Sequence, residues 1–183
     1  MKVIETELPG VLIIEPKRFS DERGFFVETF HVDRYREAGL RFPFVQDNWS
    51  HSEAGVLRGL HLQNPNVQGK LVSVLRGTVL DVAVDVRVGS PSFGRHVAIE
   101  LSGDNGRQFF VPRGFAHGYA VLSGPAEFIY KCDNVYSKAD EIAVRWNDPA
   151  LSIDWRVREP LLHPRDATAP LLADVRGLPK FEG

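Results

Sequence analysis

The chain has a single cysteine, Cys132, so no intramolecular disulfide can staple it. That fits a reducing compartment, and a cytoplasmic setting is expected. No apolar run approaches the roughly 20 residues that a membrane-spanning helix needs. Glu5 and Glu7 interrupt the N-terminal MKVIETELPG, so no signal peptide is expected either. An excess of one charge sign is missing too. The 22 Lys and Arg against 24 Asp and Glu leave −2, which gives no broad basic field for nucleic acid. An anionic ligand would have to be held by a local set of Arg and Lys. Helical periodicity is scarce: VDRYREAG (32–39) predicts a short helix ending at Gly39, and PLLAD (170–174) a weaker one. There is no repeat, low-complexity tract or interdomain linker. The 183 residues are expected to form a single domain with an irregular tail from about 156 that wraps the body.

What the chain has is strand. GVLIIEP (10–16), GFFVETF (24–30), KLVSVLRG (70–77), TVLDVAVDVRV (78–88), RHVAIELS (95–102), QFFVPRG (108–114), HGYAVLS (117–123) and AEFIYKC (126–132) are rich in β-branched or aromatic residues. Gly, Pro, Ser, Asp or Asn bounds each of them. Turns recur about every ten residues, which predicts an all-β sandwich or barrel with a few short helices. In TVLDVAVDV, Thr78, Leu80, Val82, Val84 and Val86 share one face, while Val79, Asp81, Ala83 and Asp85 share the other. The first face predicts core. The second is small and acidic and faces solvent or a polar cavity.

The stretch VLRGLHLQNPNVQGKL (56–71) carries Arg58, His61 and Lys70 on apolar strands. Alternation sets His61 beside Gly59 and Gln63, opposite Arg58, Leu60 and Leu62. Together with PRGFAHG (112–118) this resembles the two signatures of the cupin family, a double-sheet jelly roll. Pro112, Gly114 and His117 match Pro-x-Gly-x-x-His, and Gly55 stands six residues before His61. Gln63 replaces the second His of the first signature, and Lys70 stands where a Glu would be expected. First-row metals want imidazole or carboxylate donors, and an ammonium repels a cation. The pocket is expected to hold no metal. A His base, with Lys70 at a developing enolate oxygen and Tyr130 as an acid on the opposite face, suits proton transfer next to a ketone.

The segments SDERGFFVETF, VQDNWSHS, VLRGLHLQ, VQGKLVSVLRGTVLDVAVDVRVGSPSFG, FVPRGFAHGYAVLS, EFIYKCDNVYSKADE and WNDPALSIDW run in order through the chain. They resemble the dTDP-4-dehydrorhamnose 3,5-epimerase family, from about residue 2 to about 175. The resemblance implies His61 as base with Asp166 as its carboxylate partner, and Tyr130 as acid, with Tyr136 the other tyrosine that sequence leaves open. It implies Lys70 and His117 beside the sugar. Arg23, Arg58 and Arg165 would hold the diphosphate, with Glu28, Gln46, Asn48 and Glu141 as polar contacts and Tyr136 stacked on thymine. It also implies the substrate dTDP-4-dehydro-6-deoxy-D-glucose, a place on the route to L-rhamnose, no cofactor, and a homodimer in which Arg23 and Glu28 serve the neighbour's site. A related mono-epimerase or 3,4-ketoisomerase, a metal-dependent cupin and a non-catalytic sugar-binding cupin are the rival readings.

Overall fold

The computed structural model describes residues 1–40 and 43–182. Strands β1 (Lys2–Glu5) and β2 (Leu12–Glu15) open the chain. A small ribbon of β3 (Arg18–Asp21) and β4 (Gly24–Val27) and helix α1 (Val32–Glu37) follow. Then come β5 (Gln46–Ser52), β6 (Val56–Gln63), β7 (Lys70–Asp85), β8 (His96–Ser102), β9 (Gln108–Val111) and β10 (Phe115–Cys132). The C-terminal part adds β11 (Glu141–Ala143), β12 (Leu161–Leu162) and the one-turn helix α2 (Pro164–Ala167). The fold is the expected jelly roll, mostly strand.

Two strands are longer than the sequence suggests. KLVSVLRG and TVLDVAVDV read as separate strands are one 16-residue strand, β7. HGYAVLS and AEFIYKC are likewise joined in the 18-residue β10. The turn signals between them, Gly77 and Gly124-Pro125, mark bends inside continuous strands. At Gly77 φ is +75°, and a Cβ would lie 2.7 Å from Pro125 O and 2.9 Å from Ala126 Cα, so only glycine permits the two bends to nest. Each long strand therefore serves two layers. Residues 70–73 of β7 pair with β9, while 78–84 pair with β8. The distal half of β10 pairs with β5, and its proximal half with β6. One layer runs β1-β2-β9-β7-β10-β5, and the other runs β8-β7-β10-β6 and ends on β11, with β12 parallel to β6.

Alternation decides what each face meets. Val72, Val74, Val79, Ala83, Phe115, Tyr119, Val121 and Phe128 meet between the layers. Leu80, Val82, Val84 and Val86 point out, against Leu57, Leu60, Leu62 and the tail residues Leu151, Trp155 and Leu172. Val157, Leu162, Val175 and Leu178 pack against the same cluster, and Leu172–Asp174 within PLLAD forms a 3-10 turn rather than an α-helix. Helix α1 covers the other layer with Tyr35 against Ile14, Leu71 and Phe110. Among the described residues no helix is long and apolar enough to cross a membrane.

The acidic face of TVLDVAVDV divides. Asp81 is inside the jelly roll. Asp85, fully buried, instead closes a turn: Arg87 Nη2 donates at 2.7 Å, Ser90 Oγ at 2.6 Å and Ser92 Oγ at 2.7 Å. Burial opposes ionisation of Asp85, but these donors outweigh it and hold the carboxyl at about 2, against an ordinary 3.8. Because the folded value lies below the unfolded one, the stabilisation is complete above pH 3.8 and is lost as pH falls toward 2. Asp85→Asn is expected to cost about 2 kcal/mol at neutral pH. Urea unfolding should show that gap at pH 7 and a smaller one when both proteins are unfolded in acid.

Candidate active site

The interior face turns polar at one end. Arg58, His61, Lys70, His117, Tyr130 and Asp166 line a cavity of about 330 Å3, with Glu141 and Arg165. A second recess of about 290 Å3 shares His61, Lys70, Tyr130 and Glu141 and adds Gln46, Asn48 and Tyr136. The two form one cleft through their common walls.

Strict alternation would put Arg58 on the face away from His61; the structure corrects this. Between β10 and β6, His117 pairs with His61 but Tyr119 pairs with Arg58, so three steps on β6 match two on β10. This bulge at Gly59 turns Arg58 and His61 to the same side while Leu57, Leu60 and Leu62 stay in the outer core. Gly59 has φ +125°, and a Cβ there would sit 2.6 Å from the Gly118 Cα. No other residue fits the crossing.

His61 Nε2 lies 2.6 Å from Asp166 Oδ1, and the Gly59 N–H donates to Asp166 Oδ2 at 3.2 Å. Burial works against ionisation of Asp166, but the hydrogen bonds from His61 and Gly59 outweigh it and hold the carboxyl below its ordinary range. A carboxylate only accepts, so Nε2–H donates and Nδ1 keeps its lone pair. Asp166 reaches the site from the tail. His163 caps α2 by accepting from the Arg165 N–H at 3.2 Å, and Pro164 takes the first helical position. That turn buries Asp166 and leaves Arg165 facing outward to pair with Glu141.

Lys70 opens β7 on the same face as Val72 and is half-buried. Desolvation pushes its ammonium below the ordinary lysine value, against the opposing pull of Cys132, Asp81 and Glu141. Its ammonium has no hydrogen-bond partner among the described residues. Burial pushes the Tyr130 phenol up to about 12, so it keeps its proton at neutral pH. Tyr136 is half exposed and its hydroxyl donates to Glu141 Oε2 at 2.9 Å. His117 is buried with Nε2 2.8 Å from Asp81 Oδ1. Arg58 Nε donates to Ser52 Oγ at 3.1 Å, and Gln46 Nε2 donates to Asn48 Oδ1 at 3.0 Å.

Of the residues expected at the site, Arg23 and Glu28 alone stand apart. Arg23 pairs with Asp21 at the ribbon turn, and Glu28 with Arg34 of α1, both outside the cavity. Gln63 spends its amide on the backbone, donating to Asn66 O at 2.8 Å and accepting from the Ser137 N–H at 2.8 Å. Among the described residues no group of three or more His, Cys, Asp or Glu is placed to hold a metal. Sequence reasoning missed Ser50, Tyr119, Phe128 and His163, which also line the cavity. Alternation from His117 would have found Tyr119. Its ring stacks on Phe128 with centroids 4.0 Å apart, and its hydroxyl lies 3.0 Å from Ser50 Oγ and 3.2 Å from Ser52 Oγ.

Three comparisons with known proteins agree. The family model described as dTDP-4-dehydrorhamnose 3,5-epimerase matches residues 5–174. The chain is 52% identical to the dTDP-4-dehydrorhamnose 3,5-epimerase of Shigella flexneri over 177 residues, covering 96% of this chain and 98% of that one. It is 47% identical to the protein of the same name from Pseudomonas aeruginosa over 181 residues, covering 98% and 100%. The crystal structure of dTDP-6-deoxy-D-glucose-3,5-epimerase from Legionella pneumophila, in complex with dTDP-4-keto-L-rhamnose, superposes with a TM-score of 0.97. That protein is 51% identical, with 100% of this chain and 99% of that chain covered.

Proposed function

The chain belongs to the dTDP-4-dehydrorhamnose 3,5-epimerase family, and on that premise we infer how its own residues carry out the reaction. It epimerises C3 and C5 of dTDP-4-dehydro-6-deoxy-D-glucose to give dTDP-4-dehydro-β-L-rhamnose. Both carbons flank the C4 ketone, so one enolate chemistry serves both.

His61 Nδ1 takes the proton from the carbon, and the electron pair moves onto the C4 oxygen. Asp166, buried and ionised, stabilises the imidazolium that forms and keeps its ring aimed. The Lys70 ammonium faces the developing oxyanion in a half-dry site, where a charge counts for more than in water. Tyr130 returns a proton to the opposite face and regains its own from solvent, and His61 releases to solvent the proton it took, so that both groups are reset for the second carbon. The choice of Tyr130 over Tyr136 rests on burial and engagement: Tyr130 is in the cavity with Lys70, while the Tyr136 hydroxyl is occupied by Glu141. Tyr136 then serves as a platform for the base. Arg58 and Arg165 bind the diphosphate, with Gln46, Asn48 and Glu141 as polar contacts. The observation that carries this reading is the His61–Asp166 pair opening onto a cavity that also holds Lys70 and Tyr130.

We place Arg23 and Glu28 in the neighbouring site of a homodimer. Supporting this, the ribbon that bears Arg23 and leads into Glu28 exposes Phe25 and Phe26 at 58% and 68%, and Trp49 on β5 is 73% exposed. Such aromatic area is unusual on a monomer. The test uses chelator-treated protein and substrate in D2O, with deuterium read at each carbon by NMR and mass by sedimentation. Deuterium at both C3 and C5 in a particle of twice the chain mass is expected. Label at one carbon would replace the reading by a mono-epimerase, and a monomer would remove the shared site.

A further inference from the structure

The dyad His61–Asp166 has a counterpart that the reaction as derived does not use. Asp81 lies on β7, fully buried, with Oδ1 2.8 Å from His117 Nε2. The two residues come from neighbouring strands, two places apart in register, since Asp81 pairs with Tyr119 and Ala83 with His117. Asp81 Oδ2 is buried without any hydrogen-bond partner among the described residues. A buried polar atom left in that condition is costly, and retaining it calls for a functional reason. Its neighbours on the same face, Val79 and Ala83, are both core residues.

We propose that Asp81 is a positioning residue that acts through His117: it holds the imidazole with the proton on Nε2, so that Nδ1 enters the cavity as an acceptor for a ring hydroxyl of the sugar. The carboxylate can only accept, so Nε2 must donate. His117 Nδ1 has no partner among the described residues, and His117 lines the cavity beside Lys70 and His61. The ring is further fixed by Phe128, stacked at 6.3 Å between centroids. The unpartnered Oδ2 leaves negative charge beneath the cavity, where it also favours the charged form of Lys70, after the larger effect of Cys132. The sugar of this substrate carries hydroxyls only at C2 and C3. An acceptor at Nδ1 would hold one of them and so set the depth at which the C4 oxygen meets Lys70.

This inference rests on the function proposed above, and its first test does not. In ligand-free protein labelled with 15N-histidine, long-range proton–nitrogen spectra should show His117 protonated on Nε2. Asp81→Asn presents an amide that can donate to Nε2, so the proton should move to Nδ1 and the acceptor should become a donor. The variant should lose about 100-fold in kcat/KM. In a His117→Phe background the same substitution should cost little more, because the residue acts through the imidazole. A wild-type His117 protonated on Nδ1 overturns the proposal even if Asp81→Asn does not fold. So does an Asp81→Asn enzyme with unchanged kcat/KM, or full additivity with His117→Phe.

Discussion

His61→Ala is expected to abolish solvent exchange at C3 and C5 together and to lower kcat/KM by about 10³-fold or more. One imidazole faces both carbons, so no residual single-centre activity should survive. The substitution removes no group that we assign to the nucleotide: Arg58 is held by Ser52, and Arg165 by Glu141. Affinity for dTDP measured by calorimetry should therefore stay within a few-fold of wild type. Asp166→Asn makes a sharper comparison. It keeps the shape but lets the side chain donate to Nε2, which forces the His61 proton onto Nδ1 and removes the lone pair that abstracts hydrogen. It should approach the His61→Ala rate while leaving the ring in place. An Asp166→Asn enzyme within tenfold of wild type would show that the carboxylate is a fastening and not a director of the tautomer.

Lys70→Met should lower kcat by about 10²–10³-fold with little change in KM. Methionine fills a similar volume and leaves the charge out. The loss should fall on both carbons equally, since both enolates place their charge on the one C4 oxygen. A second signature follows from pH. Desolvation lowers the Lys70 pKa from the ordinary 10.5. Raising pH therefore discharges it earlier than an exposed lysine, and the kcat of the wild-type enzyme should decline on the alkaline side below that value. In Lys70→Met this limb should vanish from the kcat profile. Persistence of the same limb in the variant would assign it to another group and take the oxyanion role from Lys70.

Much of this was legible in the sequence, and the reasons are specific. His61 and His117 stand in recognisable signatures, and glycines close to them are demanded by geometry: Gly59 and Gly118 cross where no Cβ fits. Lys70 could be placed in the pocket because it stands where the first signature would carry a Glu. The errors also have causes. Gly77 and Gly124-Pro125 carry ordinary turn chemistry, so each bent strand looked like two. A bulge inverts alternation for every residue beyond it, and its presence at Gly59 depends on the close approach of Gly118 on β10, 59 residues along the chain. That is why Arg58 seemed to face away. Asp81 showed its polarity and the face it shares with Val79 and Ala83, but whether that face met solvent or a cavity, and that its partner is His117, are set by strand pairing that no local pattern announces. Asp166 came from resemblance alone, since a one-turn helix in a Pro-rich tail leaves almost no periodic signal.

The sharing of β7 and β10 between both layers bears on how the enzyme can fail. Lys70 and Asp81 sit on β7 on either side of its bend, and His117 and Tyr130 do the same on β10. Neither layer can melt by itself, because each would pull apart strands that the other still needs. The sugar-facing half of the machinery is therefore lost only when the whole molecule is lost, in one cooperative transition. The base is different. His61 depends on a carboxylate delivered by the C-terminal tail, which is held to the body by apolar contacts, a two-residue parallel pairing, a bridge from Val88 to Lys180 and scattered hydrogen bonds rather than by a full strand ladder. Under mild stress or proteolytic nicking the tail is the segment free to leave first. The product would be a well-folded jelly roll with its enolate-stabilising lysine and its tyrosine in place, and no directed base to use them.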